Sequence, residues 1–266
     1  MAVATARILI VAGSDSGGGA GIQADIRTVT MLGGHAMTAI TAVTAQNTLG
    51  VRAIHPVPAD MVVAQMRAVI DDIGVDAVKI GMIGAAATAD AVADVLEAMD
   101  APLVFDPVMI ATSGARLADA ATVAAFTRLM RRATLVTPNL PEAAALGGEA
   151  AILAHGCALL LKGGHGAGPR IVDTLIDRDG TRQEWESARI DTPHTHGTGC
   201  TLASAIAEGI GRGLALPAAI ERARRFVRAA LRAAPGLGHG HGPMGHPQVR
   251  FIDDPAPADP GQPCPD

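Results

Sequence analysis

Residues 196–207 read HGTGCTLASAIA and change from a glycine-rich turn to a helical run of small and apolar residues. Gly197 and Gly199 free the backbone just before the predicted helix. Unpaired N–H groups and the positive end of the helix dipole are therefore expected to point at one position. The segment predicts a cradle that binds an anion with little side-chain charge, with Thr198 and the reactive side chain Cys200 in its first turn.

Around this segment, short apolar runs alternate with longer amphipathic ones. The pattern predicts an α/β fold with a mostly parallel central sheet and helices on both faces. The predicted strands are residues 7–12, 36–43, 77–80, 103–105, 134–136 and 158–161. The predicted helices are residues 22–31, 59–73, 88–99, 118–131, 198–210 and 217–233. Asp179-Gly180 separates residues 171–176 from 183–190, which predicts a small antiparallel hairpin at an edge of the sheet.

Composition limits what the chain can be. Its 266 residues are 49% apolar, enough for one large core. We expect a single domain over residues 1–252 and a disordered, proline- and aspartate-rich tail over residues 253–266. A net charge of -5 and an aromatic content of 2% disfavour nucleic acid as a partner. No apolar run reaches the ~18 residues of a membrane helix, so no membrane partner is expected.

The three cysteines, Cys157, Cys200 and Cys264, are an odd and widely spaced set. They give no disulfide framework and predict a reducing, cytoplasmic compartment. Cys157 is expected in the core. His194, His196 and Cys200 are poor zinc candidates, because glycines separate them and a structural zinc site uses four ligands. Arginines cluster on the last helix and predict a solvated or nucleotide-facing side at positions 222, 224, 225, 228 and 232.

Glycines and polar residues follow most of the predicted parallel strands. Ligands of open α/β sheets bind outside the carboxyl ends of the strands, so these residues are expected to converge on one edge. They are Gly13-Ser14-Asp15, Gly81-Met82, Asp106-Pro107, Pro138-Asn139 and Lys162-Gly163-Gly164. The glycine-rich run over residues 13–21 fits neither the dinucleotide fingerprint nor a Walker A loop, since no lysine follows it.

Only two of the 21 basic side chains are lysine, Lys79 and Lys162. The compact ammonium of Lys162, followed by two glycines, suits a point charge against a phosphate. For Lys79 an incidental surface position is the favoured interpretation.

Other motif residues leave two interpretations open. Glu142, three residues after Asn139, is either a first-turn acid that satisfies the helix dipole or a magnesium ligand. Asp106 is another carboxylate on the same edge of the sheet, and a structural role and a magnesium-binding role are equally open for it. Gln46 is either a loop-capping amide or a group that pairs with the donor and acceptor edge of an aminopyrimidine.

Taken together and in this order, the motifs resemble those of the ribokinase-like superfamily. Within it, they are similar to the hydroxymethylpyrimidine/phosphomethylpyrimidine kinases of thiamine biosynthesis. The resemblance spans about residues 8–246, through segments 13–25, 44–48, 79–82, 106–109, 137–142, 162–165 and 195–201. It implies a three-layer ribokinase-like sandwich that lacks a Walker A loop. It also implies ATP-dependent phosphorylation of 4-amino-5-hydroxymethyl-2-methylpyrimidine to its monophosphate and then to its diphosphate.

The resemblance further implies roles for single residues. Gln46 would recognise the amino edge of the pyrimidine, and the same pocket would be lined by Gly13, Asp25, Thr44 through its backbone, Met82 and Val108. ATP and Mg²⁺ would be served by Asp106, Asn139, Glu142, Lys162 and Thr195, with Glu142 and Asp106 as the metal ligands. The anion hole would be formed by Gly197, Thr198 and Gly199, with Cys200 at the catalytic position. Family members are usually homodimers, so a homodimer is expected.

Many ribokinase-like enzymes carry an aspartate base where this chain has Cys200. The acceptor of a second phosphorylation is already ionised near neutral pH, with a second pKa of ~6, and needs no strong base. A neutral thiol would not repel that acceptor as a carboxylate would. The helix N-terminus is expected to lower the pKa of Cys200, leaving some thiolate for the first step.

Two other functions compete with this one. A pyridoxal kinase would share the fold, and pyridoxal also carries a hydroxymethyl group, but Gln46 suits an aminopyrimidine better. A non-catalytic pyrimidine sensor would explain the absence of aspartate at position 200. The sensor is disfavoured by Lys162, Asn139 and Glu142, because a sensor needs no triphosphate site.

Overall fold

The computed structural model describes residues 5–111, 114–165 and 168–249, and its nine strands form one sheet in the order β3-β2-β1-β4-β5-β6-β7-β8-β9. The strands are β1 (Arg7–Asp15), β2 (His35–Asn47), β3 (Gly50–Pro56), β4 (Ala77–Ile80), β5 (Leu103–Phe105), β6 (Leu135–Val136), β7 (Ala158–Leu161), β8 (Arg170–Ile176) and β9 (Arg182–Ala188). The helices are α1 (Gly21–Met31), α2 (Ala59–Asp72), α3 (Ala86–Glu97), α4 (Ala120–Arg132), α5 (Leu140–Ala145), α6 (Glu149–Leu153), α7 (Thr198–Gly211) and α8 (Leu216–Arg232).

Helices cover both faces of the sheet, as the alternating pattern predicts. Because side chains alternate along a strand, Leu9 and Val11 of β1 join the core formed with α2, α3 and α4. Ile8 and Ile10 join the opposite core, formed with α1, α7 and α8. β1 is thus buried on both sides, which explains its continuous apolar run.

The strand order places a switch in chain direction beside β1. The chain leaves β1 through α1 to β2 on one side, and returns after β3 and α2 to β4 on the other side. Adjacent connections therefore diverge at the carboxyl ends of β1 and β4, the position at which open α/β sheets bind ligands. Gly13 and Met82 meet there, since a Cβ on Gly13 would lie 3.0 Å from the Met82 Sδ.

The structure differs from the predicted elements mainly at β3 and at the short helices α5 and α6. β3 is nearly all exposed, so no alternation of buried and exposed residues reveals it. β2 runs on to Asn47 because it pairs antiparallel with β3, with a bulge between Ala45 and Gln46. The hairpin predicted around Asp179-Gly180 is confirmed as β8 and β9, with β9 at the sheet edge.

Several other expectations can be checked against the described part of the chain. Cys157 is buried in the core, as predicted. No helix among the described residues is long and apolar enough to cross a membrane. The predicted tail over residues 253–266, with Cys264, lies outside the described residues.

Candidate active site

The predicted anion cradle lies at the start of α7. Gly197 is the N-cap and takes the left-handed conformation, with φ 86°, and a Cβ there would clash with the Gly19 carbonyl oxygen. Only glycine fits this position. Thr201 N–H donates to the Gly197 carbonyl oxygen at 2.9 Å as α7 begins, so the amides of Gly199 and Cys200 have no acceptor within the helix.

The cradle touches side chains that follow two distant strands. A Cβ on Gly199 would lie 3.4 Å from both Asp106 Oδ2 and Lys162 Nζ. Asp106 follows β5 and Lys162 follows β7, so the carboxyl edge of the sheet brings them to the first turn of α7. Val108 lies half-buried near this edge, and its N–H donates to the Asp106 carbonyl oxygen at 2.8 Å.

Lys162 lies beside the cradle and next to two carboxylates. Its Nζ donates to Asp106 Oδ1 at 2.7 Å and lies 3.9 Å from Glu142 Oε2. Thr137 Oγ1 donates to the same Asp106 oxygen at 3.1 Å. Burial by itself lowers the pKa of Lys162, but Asp106 and Glu142 raise it above its usual value. The ammonium is therefore charged.

Asn139 and Glu142 form a capping box at the start of α5. Asn139 Oδ1 accepts from the Glu142 N–H at 2.8 Å, and Glu142 Oε2 accepts from the Asn139 N–H at 2.9 Å. Burial raises the pKa of Glu142 above its usual value. Glu142 is thus a first-turn acid that caps α5. The same carboxylate lies 3.9 Å from the Lys162 ammonium, so a capping role leaves it at the carboxyl edge of the sheet.

Thr195 lies before the cradle rather than beside Lys162. Its carbonyl oxygen accepts from the Thr198 N–H at 3.3 Å, and its own N–H donates to the Pro193 carbonyl oxygen at 3.0 Å. In the described structure its side chain makes no hydrogen bond to the Asp106–Lys162 pair.

Lys79 is not a surface lysine, and that prediction is wrong. Its ammonium and the Asp25 carboxylate are both 0% exposed, with Nζ 2.8 Å from Asp25 Oδ2. Ser204 donates to the other oxygen, Asp25 Oδ1, at 2.7 Å. Lys79 lies within β4, Asp25 on α1 and Ser204 on α7, so the triad joins three elements. The sequence neighbours of Lys79 carry no information about its burial, because Asp25 and Ser204 come from distant parts of the chain.

The Lys79–Asp25 pair is assigned as ionised. Burial lowers the pKa of Lys79, but Asp25, Cys200 and Asp106 raise it above its usual value. Burial also raises the pKa of Asp25, against the pull of Lys79 and Ser204. We favour the charged form because the carboxylate accepts short hydrogen bonds at both oxygens. Both Asp25 oxygens thus have protein partners, which sets Asp25 behind any pocket surface rather than on it.

The expectation that the helix N-terminus lowers the pKa of Cys200 is wrong. Burial raises the pKa of the thiol to about 11, and the carboxylates of Asp25 and Asp106 add to the effect of burial. Lys79 and the Gly21 N–H act in the opposite direction but do not compensate. At neutral pH the thiol is protonated. The favourable helix dipole is outweighed by desolvation and by two nearby negative charges.

Asp15 organises the other side of the site, at the end of β1. Its Oδ1 accepts from the Gly17 N–H at 2.8 Å, and its Oδ2 accepts from the N–H groups of Gly19 at 2.9 Å and Ala20 at 2.8 Å. His196 Nε2 lies 3.0 Å from Oδ2. Because a carboxylate only accepts, the ring nitrogen carries the proton. Asp15 thus ties the glycine-rich loop to the residue that precedes Gly197.

These hydrogen bonds keep Asp15 ionised. Burial alone would raise the pKa of Asp15, but hydrogen bonds from His196 and from the backbone amides of Ala20 and Gly17 lower it to about 2. Gln46 is half-buried, and its neighbour Thr44 pairs with Asp15 in the β1–β2 register, with Thr44 Oγ1 donating to the Ser14 carbonyl oxygen at 2.9 Å. Asp15 is thus paired with His196, and Ser16 Oγ ties the Gln46 backbone to the same loop.

Sequence reasoning gave Asp15 no role of its own, placed Lys79 at the surface, and weighed the side chain of His196 only as a poor zinc ligand. Asp15 and His196 both lie within motifs that were quoted, so their positions carried a signal. No group of three His, Cys, Asp or Glu residues among those described could hold a metal ion.

The arginine-rich face of α8 is not simply solvated. Arg224 is buried, with Nε donating to Asp173 Oδ2 at 2.8 Å, and Asp173 Oδ1 accepts from the Gly163 N–H at 3.0 Å. Arg222 forms an ion pair with the buried Glu208. Arg224 thereby supports the loop that follows Lys162.

Comparisons with known proteins agree with one another. A family model described as phosphomethylpyrimidine kinase matches residues 15–245. A hydroxymethylpyrimidine/phosphomethylpyrimidine kinase from Streptomyces coelicolor is 48% identical, over 90% of this chain and 93% of that protein. The thiamine biosynthesis bifunctional protein ThiED from Geobacter sulfurreducens is also 48% identical, over 90% of this chain and 52% of that protein.

Solved structures show the same fold. The ADP complex of Bacillus subtilis pyridoxal kinase matches with a TM-score of 0.83 and 33% identity, over 91% of this chain and 98% of that one. A phosphomethylpyrimidine kinase from Clostridium difficile matches with a TM-score of 0.75 and 34% identity, over 85% of this chain and 99% of that one.

Proposed function

The chain belongs to the phosphomethylpyrimidine kinase family, and from that premise we propose how its residues perform the chemistry. It is a kinase of thiamine biosynthesis. It uses ATP to phosphorylate 4-amino-5-hydroxymethyl-2-methylpyrimidine to the monophosphate, and then the monophosphate to the diphosphate.

One observation carries the proposed mechanism: the amide cradle of α7 and the Lys162 ammonium meet at Gly199. A migrating phosphoryl group spreads negative charge over its oxygens, and catalysis is mostly positioning and neutralisation of that charge. The amides of Gly199 and Cys200 would donate to these oxygens, while Lys162 supplies a fixed positive charge. Asn139 and Thr195 are proposed to contribute to the nucleotide side of the same edge.

Magnesium fits the residues that surround Lys162. Asp106 and Glu142 both lie within 4 Å of the Lys162 Nζ, at 2.7 and 3.9 Å, so their oxygens border one small volume. Mg²⁺ usually takes one or two carboxylates together with water and substrate phosphates, so a cluster of three acidic residues is not required. We propose that Asp106 and Glu142 hold the ion. When bound, it supplies charge neutralisation and orientation to the phosphates of ATP.

The acceptor is proposed to lie between β1 and β4, at the switch in chain direction. Gly13, Met82, Val108 and the backbone of Thr44 would line its pocket, with Gln46 on the amino edge of the ring. Asp25 would act from behind through Lys79 and Ser204. Cys200, a neutral thiol at pH 7, would let an anionic monophosphate approach where a carboxylate would repel it.

We further propose that residues 1–252 act as one domain in a cytoplasmic homodimer. The β2–β3 hairpin supports the dimer, because it carries exposed apolar side chains that include Val43 and Leu49, the latter 63% exposed. Light scattering on Leu49→Asp tests this. A shift from dimer to monomer is expected, whereas Met61→Asp, at an exposed position of α2, should leave the mass unchanged. A monomeric wild-type protein contradicts the proposal.

The activity is tested by incubating the protein with ATP, Mg²⁺ and hydroxymethylpyrimidine and weighing the products. Two successive gains of one phosphate unit are expected. Lys162→Met is the matched control, because it should bind the pyrimidine but transfer phosphate slowly. Binding of the pyrimidine without ATP consumption would support a sensor instead.

Pyridoxal kinase is the second candidate, supported by the similarity to the Bacillus subtilis enzyme. Pyridoxal carries a formyl group next to its hydroxymethyl group, where hydroxymethylpyrimidine carries an amine. A glutamine amide can serve either, so kcat/KM must be measured for both acceptors side by side. A higher value for pyridoxal would reverse the order of the two candidates.

A further inference from the structure

Two glycines follow Lys162, so the loop that carries the proposed phosphate-binding ammonium has little stiffness of its own. Glycine has more backbone freedom than any other residue, and Gly163 and Gly164 are adjacent. The antiparallel pairing of β7 with β8 ends at Leu161, and the Lys162 N–H donates to the Pro138 carbonyl oxygen at 3.0 Å. Beyond that bond, the loop depends on side chains from other elements to keep its place.

Asp173 of β8 makes the first of these side-chain contacts. Its Oδ1 accepts from the Gly163 N–H at 3.0 Å. A Cβ on Gly163 would clash with the Val172 carbonyl oxygen, so the backbone of the loop lies directly against β8. Asp173 is buried and lies on the same side of β8 as the buried Leu175, because side chains two apart on a strand share a face. That face is the one that α8 covers.

Arg224 of α8 fixes the other oxygen of Asp173. Its Nε donates to Asp173 Oδ2 at 2.8 Å, and its Nη2 donates to the Trp185 carbonyl oxygen at 3.0 Å. The guanidinium carbon lies 5.9 Å from the centroid of the Trp185 ring, within the range of a cation–π contact. The two Asp173 oxygens bond to different donors, so the orientation of the carboxylate at Gly163 depends on Arg224.

We propose that Asp173 and Arg224 are positioning residues for phosphoryl transfer: together they hold the backbone after Lys162 so that its ammonium stays beside the first turn of α7. Among the described contacts, neither side chain bonds to that ammonium, so both act through Gly163. A displacement of about 1 Å in a charged group at a reacting centre costs up to ~10²-fold in rate. The inference rests on the proposed function, since it takes Lys162 as the charge that the phosphoryl group meets.

The test variant is Arg224→Met, and Arg222→Met is its matched control. Arg222 lies on the same helix, is half-buried and forms an ion pair with the buried carboxylate of Glu208. Glu208 lies ten residues after the first residue of α7, which places it about 15 Å along the helix from the cradle. Arg222→Met therefore breaks a comparable ion pair without reaching the loop after Lys162.

The first measurement is steady-state kinetics with ATP and hydroxymethylpyrimidine. Arg224→Met should lower kcat about 10- to 50-fold and change KM for the pyrimidine less than about twofold, because the proposed acceptor pocket lies between β1 and β4. Arg224→Lys keeps a donor for Asp173 and should recover part of kcat. Arg222→Met should keep kcat within about twofold of wild type. Equal kcat values in Arg224→Met and Arg222→Met would overturn the proposal.

A second variant approaches the same contact from β8. Asp173→Asn keeps the shape of the side chain, but its NH₂ group can accept no hydrogen bond, so either the Gly163 N–H or Arg224 Nε loses its partner. We expect the same fall in kcat with little change in KM. A fall in KM-dependent binding of the pyrimidine with kcat unchanged would contradict the positioning role.

A double-variant cycle asks whether Arg224 acts through Lys162. In a Lys162→Met background, Arg224→Met should lower kcat by no more than about twofold further. A further loss of about 10-fold would show that Arg224 acts on another part of the site, which would refute the proposal. An inactive wild-type protein would refute the proposed function itself, whereas an active one with equal kcat in Arg224→Met and Arg222→Met would refute only the positioning role.

Hydrogen exchange of the Gly163 amide, followed by NMR, tests the contact in wild-type protein. Because this N–H donates to Asp173, it should exchange at least about 10²-fold more slowly than in an unstructured peptide. Arg224→Met should speed this exchange, and Arg222→Met should not. Exchange at the peptide rate in the wild-type protein would show that the loop is not held, and the proposal would fail without any variant being needed.

Discussion

Two lysine–aspartate pairs lie on either side of the first turn of α7, and they differ in how far the protein encloses them. Lys79 and Asp25 are both 0% exposed, and Ser204 occupies the remaining carboxylate oxygen. Lys162 keeps 14% of its side chain exposed beside Asp106. The closed pair has no capacity for a ligand and holds helices in place, whereas the open pair can exchange part of its contacts for a phosphate.

The largest effect is expected from breaking the closed pair. Lys79→Met leaves the Asp25 carboxylate buried without a counter-charge and should lower the free energy of unfolding by about 3–5 kcal/mol. Urea unfolding measures this loss. The double variant Lys79→Met/Asp25→Asn should regain at least half of it, because no charge remains buried. A loss in Lys79→Met no larger than that in Lys162→Met would break the comparison.

The open pair should respond in activity instead. Lys162→Met removes the fixed positive charge next to the cradle and should lower kcat/KM about 10²–10³-fold, while the unfolding free energy should fall by less than in Lys79→Met, because Lys162 keeps some contact with solvent. Steady-state kinetics with ATP and hydroxymethylpyrimidine give the first quantity and urea unfolding gives the second. Lys162→Arg keeps the charge and should recover part of the rate. Activity within threefold of wild type, with lost stability, would reverse the assignment.

Asp15 extends the comparison to a carboxylate that is held by N–H donors rather than by lysine. Its pKa in the folded protein is about 2, below its ordinary value of 3.8. A lowered carboxyl pKa stabilises the fold above the unfolded pKa, and the stability is lost as the pH falls from about 4 to about 2. The contribution is about 2 kcal/mol at neutral pH. Asp15→Asn should flatten the acid side of the stability profile by this amount, and an unchanged profile would contradict the assignment.

The smallest effect is expected at Cys200, between the two pairs. Cys200→Asp adds a third carboxylate close to Asp25 and Asp106, where an anionic acceptor must approach. We expect the second phosphorylation to fall at least about 10-fold more than the first. Rates with hydroxymethylpyrimidine and with its monophosphate as acceptors measure the difference. Cys200→Ser, which is neutral, should slow both steps to a similar degree; equal losses in Cys200→Asp would remove the electrostatic explanation for the thiol.

The sequence by itself determined the layered fold and the location of the site. The two buried faces of β1 and the amphipathic helices followed from local periodicity, and the cradle followed from Gly197 and Gly199 before an apolar helix. Both signals are local, because hydrophobic period and backbone freedom are properties of neighbouring residues. The meeting of Asp106 and Lys162 at the carboxyl edge was also predictable, since parallel strands end on the same side.

Only the tertiary structure decided which charges are enclosed. Lys79 and Lys162 look alike in sequence, but their partners in space differ. The partners of Lys79 lie on α1 and α7, whereas those of Lys162 follow β5 and lie on α5. The raised pKa of Cys200 has the same origin, because it depends on carboxylates far away in the chain. Desolvation and Coulomb energies are set by what surrounds a group in space, and that information is not carried by adjacent residues.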